Sequence, residues 1–260
     1  MIGAMMSFWE AVLLTAAGLA AGTINTVVGA GTLVTFPALL AVGYPPVLAN
    51  VSNTVGLVPG SLSGAVGYRA DLVGQGPRLL RLGAASVLGG LTGAVLLLTL
   101  PERAFQTIVP VLIGLACVLV LVQPRVGARV RDRLRRPDGG HHVAARPLLY
   151  LGVYGAGVYG GYFGAAQGVL LIAVVGLLLE ESLQRVNAAK NVLALLVNAV
   201  AAGAFILVTD VAWLAAGLIA LGSTVGGQVG ASLGRRIPDP VLRAVVVVVG
   251  LVAIAVLLGG

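Results

Sequence analysis

Two short runs, VVGAGTL at Val27–Leu33 and YFGAAQGVL at Tyr162–Leu170, decide how this chain folds. Each interrupts an apolar stretch, residues 8–43 and 147–179, that is too long to cross a bilayer once and too short to cross it twice. A spanning helix needs about 20 apolar residues. Glycine at each interruption makes a broken helix the economical reading. Six further apolar segments of spanning size run roughly over residues 47–68, 79–100, 104–123, 183–208, 211–234 and 241–258.

Composition points to the same solvent. The chain is 58% hydrophobic and 10% charged, with mean hydropathy +1.04, whereas soluble domains carry about 25% charged residues. The expected fold is therefore an all-α polytopic membrane protein. The 38 glycines suit helices that pack closely or break inside a bilayer. The opening MIGAMMSFWE has no basic region and no small-residue cleavage site, so it reads as the start of the first membrane segment rather than a signal peptide. The single Cys117 forms no intrachain disulfide.

The net charge of +7 raises nucleic acid as a partner, but the placement of the charge argues against it. Seven of the fifteen arginines fall between Arg125 and Arg146, a polar stretch between apolar segments. That is the mark of a cytoplasmic loop under the positive-inside rule. His141 and His142 lie in the same stretch with no cysteine or carboxylate cluster, so no metal and no cofactor is expected. All nine carboxylates map to loops or segment ends, and no intramembrane Ser–His, acid pair or metal set suggests an enzyme.

The two halves match at a constant offset of 137. Gly31 meets Gly168 and Asn50 meets Asn187. Ser86, Gly89, Gly90, Gly93 and Pro101 meet Ser223, Gly226, Gly227, Gly230 and Pro238. The expected organisation is a first repeat over 1–123, an Arg-rich cytoplasmic loop over 124–146, and a second repeat over 147–260, forming one transmembrane domain. Each repeat holds about four hydrophobic segments, the first of them broken and re-entrant. Loop charge alternates: Arg69, Arg78 and Arg81 follow the second segment of the first repeat, whereas Thr209–Asp210 is the equivalent in the second. The reverse holds one loop later, where Arg235, Arg236 and Arg243 surround the counterpart of Pro101–Arg103. With each broken segment re-entrant, equivalent loops lie on opposite sides and the repeats are inverted, with both termini outside; if both broken segments cross instead, the repeats are parallel and Arg235 and Arg236 face outward.

The only lysine, Lys190, lies in a polar stripe. Asn50, Asn53, Thr54 and Ser61 are spaced to share one helical face, and at offset 137 they become Asn187, Lys190, Asn191 and Asn198. Polar groups in hydrocarbon usually face a bundle interior or a water-filled cavity. Hydrogen-bonding glue between helices is the plainer alternative for the asparagines, and snorkelling is one for Lys190.

The run GTINTVVGAGTLVTFPALLAVGYPPVLANVSNTVG (Gly22–Gly56) with SLSGAVGYR (Ser61–Arg69) resembles the sulfite exporter TauE/SafE family of membrane permeases. GVYGGYFGAAQGVLLIAVV (Gly157–Val175) with NAAKNVLALLVNAV (Asn187–Val200) looks like its second motif. The likeness covers nearly the whole chain, although Gly29-Ala30-Gly31 is shorter than many of the family's glycine clusters. It implies movement of small sulfur-containing or carboxylate anions, such as sulfite, sulfonates or sulfoacetate.

The residues suggest how such an anion is held. Half-helices that begin near Thr32 and Gly168 offer free N–H groups and positive dipole ends, and Gly31 and Gly168 allow close backbone approach. Asn25, Thr32, Asn50, Asn53 and Thr54 add neutral donors from one repeat. Gln167, Asn187 and Asn191 add them from the other, and Lys190 adds the charge. The expected partners are a small anion and the lipid bilayer of a bacterial cell membrane; oligomeric state leaves no signature. An anion leaving an inside-negative cell gains about 2.3 kcal/mol per charge per 100 mV, which favours export or facilitated diffusion, with uptake coupled through Lys190 or Glu10 as the alternative; the expected mechanism is alternating access. A channel and a non-transporting accessory protein are the alternatives.

Overall fold

The computed structural model describes residues 6–134, 146–179, 181–233 and the six positions 244, 247, 248, 250, 251 and 254. Among these are nine α-helices and no strand. The first break separates α1 (Phe8–Val27) from α2 (Thr32–Ala41), and the second separates α6 (Arg146–Tyr162) from α7 (Gln167–Leu178). The others are α3 (Pro46–Gly67), α4 (Gly76–Thr99), α5 (Glu102–Leu134), α8 (Leu183–Val208) and α9 (Trp213–Leu233). The segment expected over 241–258 lies largely outside the described residues. Arg235, Arg236, Arg243, Pro238, His141 and His142 lie wholly outside them.

Local chemistry sets these boundaries. Ser7 and Glu10 form a capping box at the start of α1, with the Ser7 N–H donating to the Glu10 carboxylate at 2.7 Å. Pro46 opens α3 at a position where its missing N–H costs nothing. Gly29, with φ +88°, ends α1 in a conformation that L side chains resist. Ala166, at offset 137 from Gly29, adopts φ +58° just before α7 and is the one described non-glycine residue in that region.

Among the described residues five helices are long and apolar enough to span a bilayer: α1, α4, α5, α8 and α9. At 22 residues α3 is also long enough, about 33 Å, but its polar stripe lowers its hydropathy. Thirteen of those residues are buried, Asn50, Ser52, Asn53, Thr54, Ser61 and Ser63 among them. Large apolar side chains such as Leu207 and Leu80 point outward, where lipid is their solvent.

One boundary needs correction. The expected 104–123 segment continues as helix through Pro124 to Leu134, so the Arg-rich stretch begins as helix rather than loop. Charged residues end a membrane crossing, but arginine is a good helix former and does not end a helix.

Glycine contacts fix helix direction. Gly18 and Gly22 of α1 abut Ile219 and Ser223 of α9, and Gly230 abuts Thr23 and Thr26, in ascending order. Gly56, Gly60 and Gly67 of α3 follow Ile219, Ser223 and Ala231 in the same sense. Hence α1, α3 and α9 run parallel, and α2 with the following turn returns the chain to the end where α1 began. Gly89 and Gly93 of α4 meet Tyr154 and Val158, and Gly83 and Gly90 meet Leu196 and Val200, so α4, α6 and α8 form a second parallel set. The two sets are antiparallel: Ser61 of α3 meets Asn198 of α8, whereas Tyr68, just beyond α3, packs near Ala188.

Charge separates the two ends of this bundle. Arg69, Arg78, Arg81 and Arg185 lie where α4 and α8 begin. There Glu181 bonds Arg78 at 2.7 Å and Arg185 at 2.6 Å. Burial pushes the Glu181 carboxyl up, but hydrogen bonds and charge from the two arginines outweigh it and hold the group below the usual glutamate range. The opposite end carries Glu10, Glu102 and Asp210 with Arg103.

A Cβ on Gly22 would sit 2.3 Å from the Ser223 carbonyl oxygen, whereas one on Gly203 would meet nothing within 4 Å. Gly22→Ala is therefore expected to cost about 1–3 kcal/mol through forced helix separation. Gly203→Ala is expected to be neutral or slightly stabilising. Unfolding curves of the two variants in detergent check this contrast.

Candidate functional site

A helix that stops inside a bilayer exposes carbonyls on one side of the break and N–H groups on the other. At the end of α1, the N–H groups of Val28 and Gly29 both return to the Ile24 carbonyl, at 2.7 and 3.0 Å. The carbonyls of Asn25 and Thr26 are met instead by α8. Lys190 Nζ donates to them at 2.8 and 2.9 Å, and Asn187 and Asn191 donate to Thr26 O at 3.2 and 3.4 Å. Lys190 is 0% exposed, so it does not snorkel. It is a C-terminal cap supplied by another helix, a cation at the negative end of the α1 dipole. Neither described ion pair involves it.

The second break is capped by the other half. Phe163 and Gly164 N–H groups return to Tyr159 O at 3.0 and 3.2 Å, and Asn50 Nδ2 donates to Tyr162 O at 3.0 Å. Asn50 and Asn187, 137 apart, thus each reach the end of the broken helix in the opposite half. Asn53 stands where the second half has Lys190, but it turns to α2. Its Nδ2 donates to the Thr32 hydroxyl at 3.2 Å, and its Oδ1 accepts from the Thr35 hydroxyl. Thr54 bonds the Asn50 carbonyl of its own helix at 2.9 Å and stands apart from the cluster. The Asn25 side chain donates to Ser61 Oγ at 3.4 Å.

The two breaks touch. The Gly168 N–H donates to Gly29 O at 3.0 Å, and a Cβ on Gly29 would lie 2.3 Å from the Gly168 Cα. A Cβ on Gly168 would also press on Lys190 Cδ, and one on Gly31 would strike the Ala21 carbonyl. The bare faces of Gly31 and Gly168 are therefore filled by backbone packing rather than left open. Five amides at the breaks, those of Ala30, Gly31, Thr32, Ala165 and Ala166, have no acceptor among the described bonds. All five residues are buried. Gln167 Nε2, at the first turn of α7, is also buried and without a partner. Buried N–H groups without acceptors are rare in folded proteins. Among the described residues no three of His, Cys, Asp and Glu come together as a metal site.

Sequence reasoning missed three participants. Thr26 contributes a carbonyl, which no side-chain pattern announces. Thr35, fully buried, completes the Asn53 cluster. Ala166 supplies the left-handed turn, and its offset from Gly29 was the available signal. Ser61 and Asn198 were visible in the stripe, but not as partners: Asn198 Nδ2 donates to Ser61 Oγ at 3.1 Å.

A family model described as sulfite exporter TauE/SafE matches residues 14–257, nearly the whole chain. The chain belongs to that family and is a membrane transporter. It is 28% identical over 246 residues to "Probable membrane transporter protein YfcA" of Escherichia coli K12, covering 92% of this chain and 86% of the relative. It is 26% identical to "Probable membrane transporter protein" of Haemophilus influenzae, covering 91% and 89% of the two chains. It is likewise 26% identical to "Probable membrane transporter protein ORF9" of a Sinorhizobium species, covering 95% and 91%. No solved structure matches the chain.

Asn53→Ala would strand the buried Thr32 hydroxyl and remove a partner of Thr35, at an expected cost of about 1–3 kcal/mol. Thr54→Val removes one intrahelical bond and is expected to cost under about 1 kcal/mol. Thermal unfolding of both variants in detergent measures the difference.

Proposed function

We propose that this TauE/SafE-family transporter moves small oxyanions, of the sulfite, sulfonate, sulfoacetate or carboxylate class, by alternating access. The anion binds where the two helix breaks meet. What supports this reading is the contact between the two breaks, with five buried amides beside them that have no acceptor among the described bonds, the buried Gln167 amide without a partner, and Lys190 Nζ at the end of α1. Two of the three Lys190 protons are taken by carbonyls, and the third is available to a ligand oxygen. Neutral donors with one cation hold an oxyanion without trapping it. Both half-helices direct positive dipole ends to the same place, an arrangement suited to anionic substrates.

The halves are read as inverted repeats. The antiparallel relation of α3 to α8, the bond between Ser61 and Asn198 at offset 137, and the reciprocal capping by Asn50 and Asn187 all support a two-fold axis across the helices. In that reading α1–α2 and α6–α7 are re-entrant hairpins from opposite faces. The arginine-rich end is cytoplasmic by the positive-inside rule. An inside-negative potential then drives the anion outward.

The two carbonyl bonds of Lys190 favour one rival reading, in which the lysine only clamps α1 and neutral donors alone hold substrate. Flux of radiolabelled sulfite or sulfoacetate in proteoliposomes separates the two. Lys190→Gln is expected to keep a folded, monodisperse protein and to lower flux more than tenfold. Full flux with Lys190→Gln removes the charge from the mechanism, and loss of folding restored by Lys190→Arg assigns a clamp. Saturable flux with counterflow is expected; linear flux without counterflow identifies a channel. For orientation, cysteines placed at Arg81 and Asp210 in a Cys117→Ala background are expected to label from inside and outside respectively. Labelling of both from one side refutes the inverted arrangement.

A further inference from the structure

Glu181, in the turn before α8, divides its carboxylate between two arginines. Arg78 Nη1 meets Oε1 at 2.7 Å and Arg185 Nε meets Oε2 at 2.6 Å. Arg78 lies in the first turn of α4, so this bridge ties the two halves of the chain together. Backbone holds the frame. Arg185 Nη1 donates to Val73 O at 3.0 Å, and the buried Gln75 donates to the carbonyls of Asp71 and Arg185 at 2.8 and 3.2 Å. Behind the bridge Val186, Ala188, Ala189 and Lys190 of α8 are at most 1% exposed, and Asn187 is half-buried. Lys190 is five residues beyond Arg185, about 7.5 Å along the helix.

The opposite end has no counterpart. At offset 137, Glu181 and Arg185 correspond to Tyr44 and Leu48, and Arg78 corresponds to Ala215. A cavity of ≈ 620 Å³ opens there instead, lined by Pro45, Leu48, Leu97, Glu102, Asp210 and Ala212 among others. One end thus carries an ion bridge and the other a cavity.

We propose that Arg78 and Arg185 form a second oxyanion-binding site at the basic mouth, which the Glu181 carboxylate occupies in this closed state. An incoming sulfonate, sulfite or carboxylate presents oxygens to which the guanidinium groups donate as they donate to Glu181. The arginine side chains are 38% and 32% exposed, so solute reaches them, and partly exposed ion pairs are weakly held. Displacing Glu181 frees the α7–α8 turn from α4 and unseals the path toward Lys190. Substrate arrival and opening become one event, which suits a carrier that must not open idly. This deepens the transport reading and rests on it for the passage of the anion.

The test uses full-length protein and methanesulfonate as the probe. Calorimetry is expected to show binding at least fivefold tighter for Glu181→Gln than for the natural chain, because the competing carboxylate is gone. Adding Arg78→Gln is expected to abolish that gain. In a Cys117→Ala background, a maleimide added at the basic end is expected to label Ala189→Cys at least fivefold faster with methanesulfonate or with Glu181→Gln. Binding no tighter in Glu181→Gln, a gain that survives Arg78→Gln, or unchanged labelling overturns the proposal. Should Glu181→Gln fail to fold, Glu181→Asp, with its shorter reach, is expected to give the same changes in smaller measure, and their absence overturns it too. These readouts do not depend on flux. A chain that fails to transport but shows them refutes the carrier reading alone, and a chain that transports without them refutes only this site.

Discussion

The Lys190 ammonium resting on the carbonyls of Asn25 and Thr26 is the contact from which the interior follows. A helix that ends in hydrocarbon must satisfy its last carbonyls without water. A single cation from a neighbouring helix does so for α1, with Asn187 and Asn191 beside it. That contact fixes the depth at which α1 stops and the face that α8 presents to it. The close approach of Gly29 to Gly168 depends on both. The second break needs less: Asn50, a neutral donor, covers Tyr162 O. One break is therefore capped by a charge and the other is not.

Much of this plan was legible from the chain. Both breaks fall where glycine interrupts an overlong apolar run, and most helix boundaries lie within three residues of the apolar segments. The polar stripe identified the buried faces of α3 and α8. What the sequence concealed has physical causes. A stripe of donors says nothing about its acceptors, and here most acceptors are backbone carbonyls, which every residue possesses. Thus Lys190 read as a charge offered to a ligand, when two of its protons already serve the protein. The end of α5 was concealed differently, because hydropathy marks where a helix leaves lipid, not where it ceases to be helix.

The glycines show how little of the packing comes from side chains. Gly89, Gly93 and Gly161 bring α4 and α6 so close that a Cβ would strike a carbonyl oxygen at 2.1–2.3 Å. Gly22 and Gly226 do the same for α1 and α9. Lipid tails give no hydrophobic drive for helix association, so van der Waals contact between bare backbones supplies it. Each of these pairs joins a helix of the first half to one of the second, so the halves meet through bare backbone as well as through side-chain hydrogen bonds and the Glu181 bridge.

The bond between Ser61 and Asn198 has an ancestral implication. If the halves descend from one short chain that paired with itself, this position once faced its own copy across a two-fold axis. A residue at such an axis meets its own kind, so the two side chains cannot differ. Asn198 now only donates in this bond and Ser61 accepts. That division of labour is open only to a chain whose two copies mutate separately. On that history, fusion would have done more than hold two halves together: it would have allowed the centre of the molecule to become unequal, with one lysine in one half.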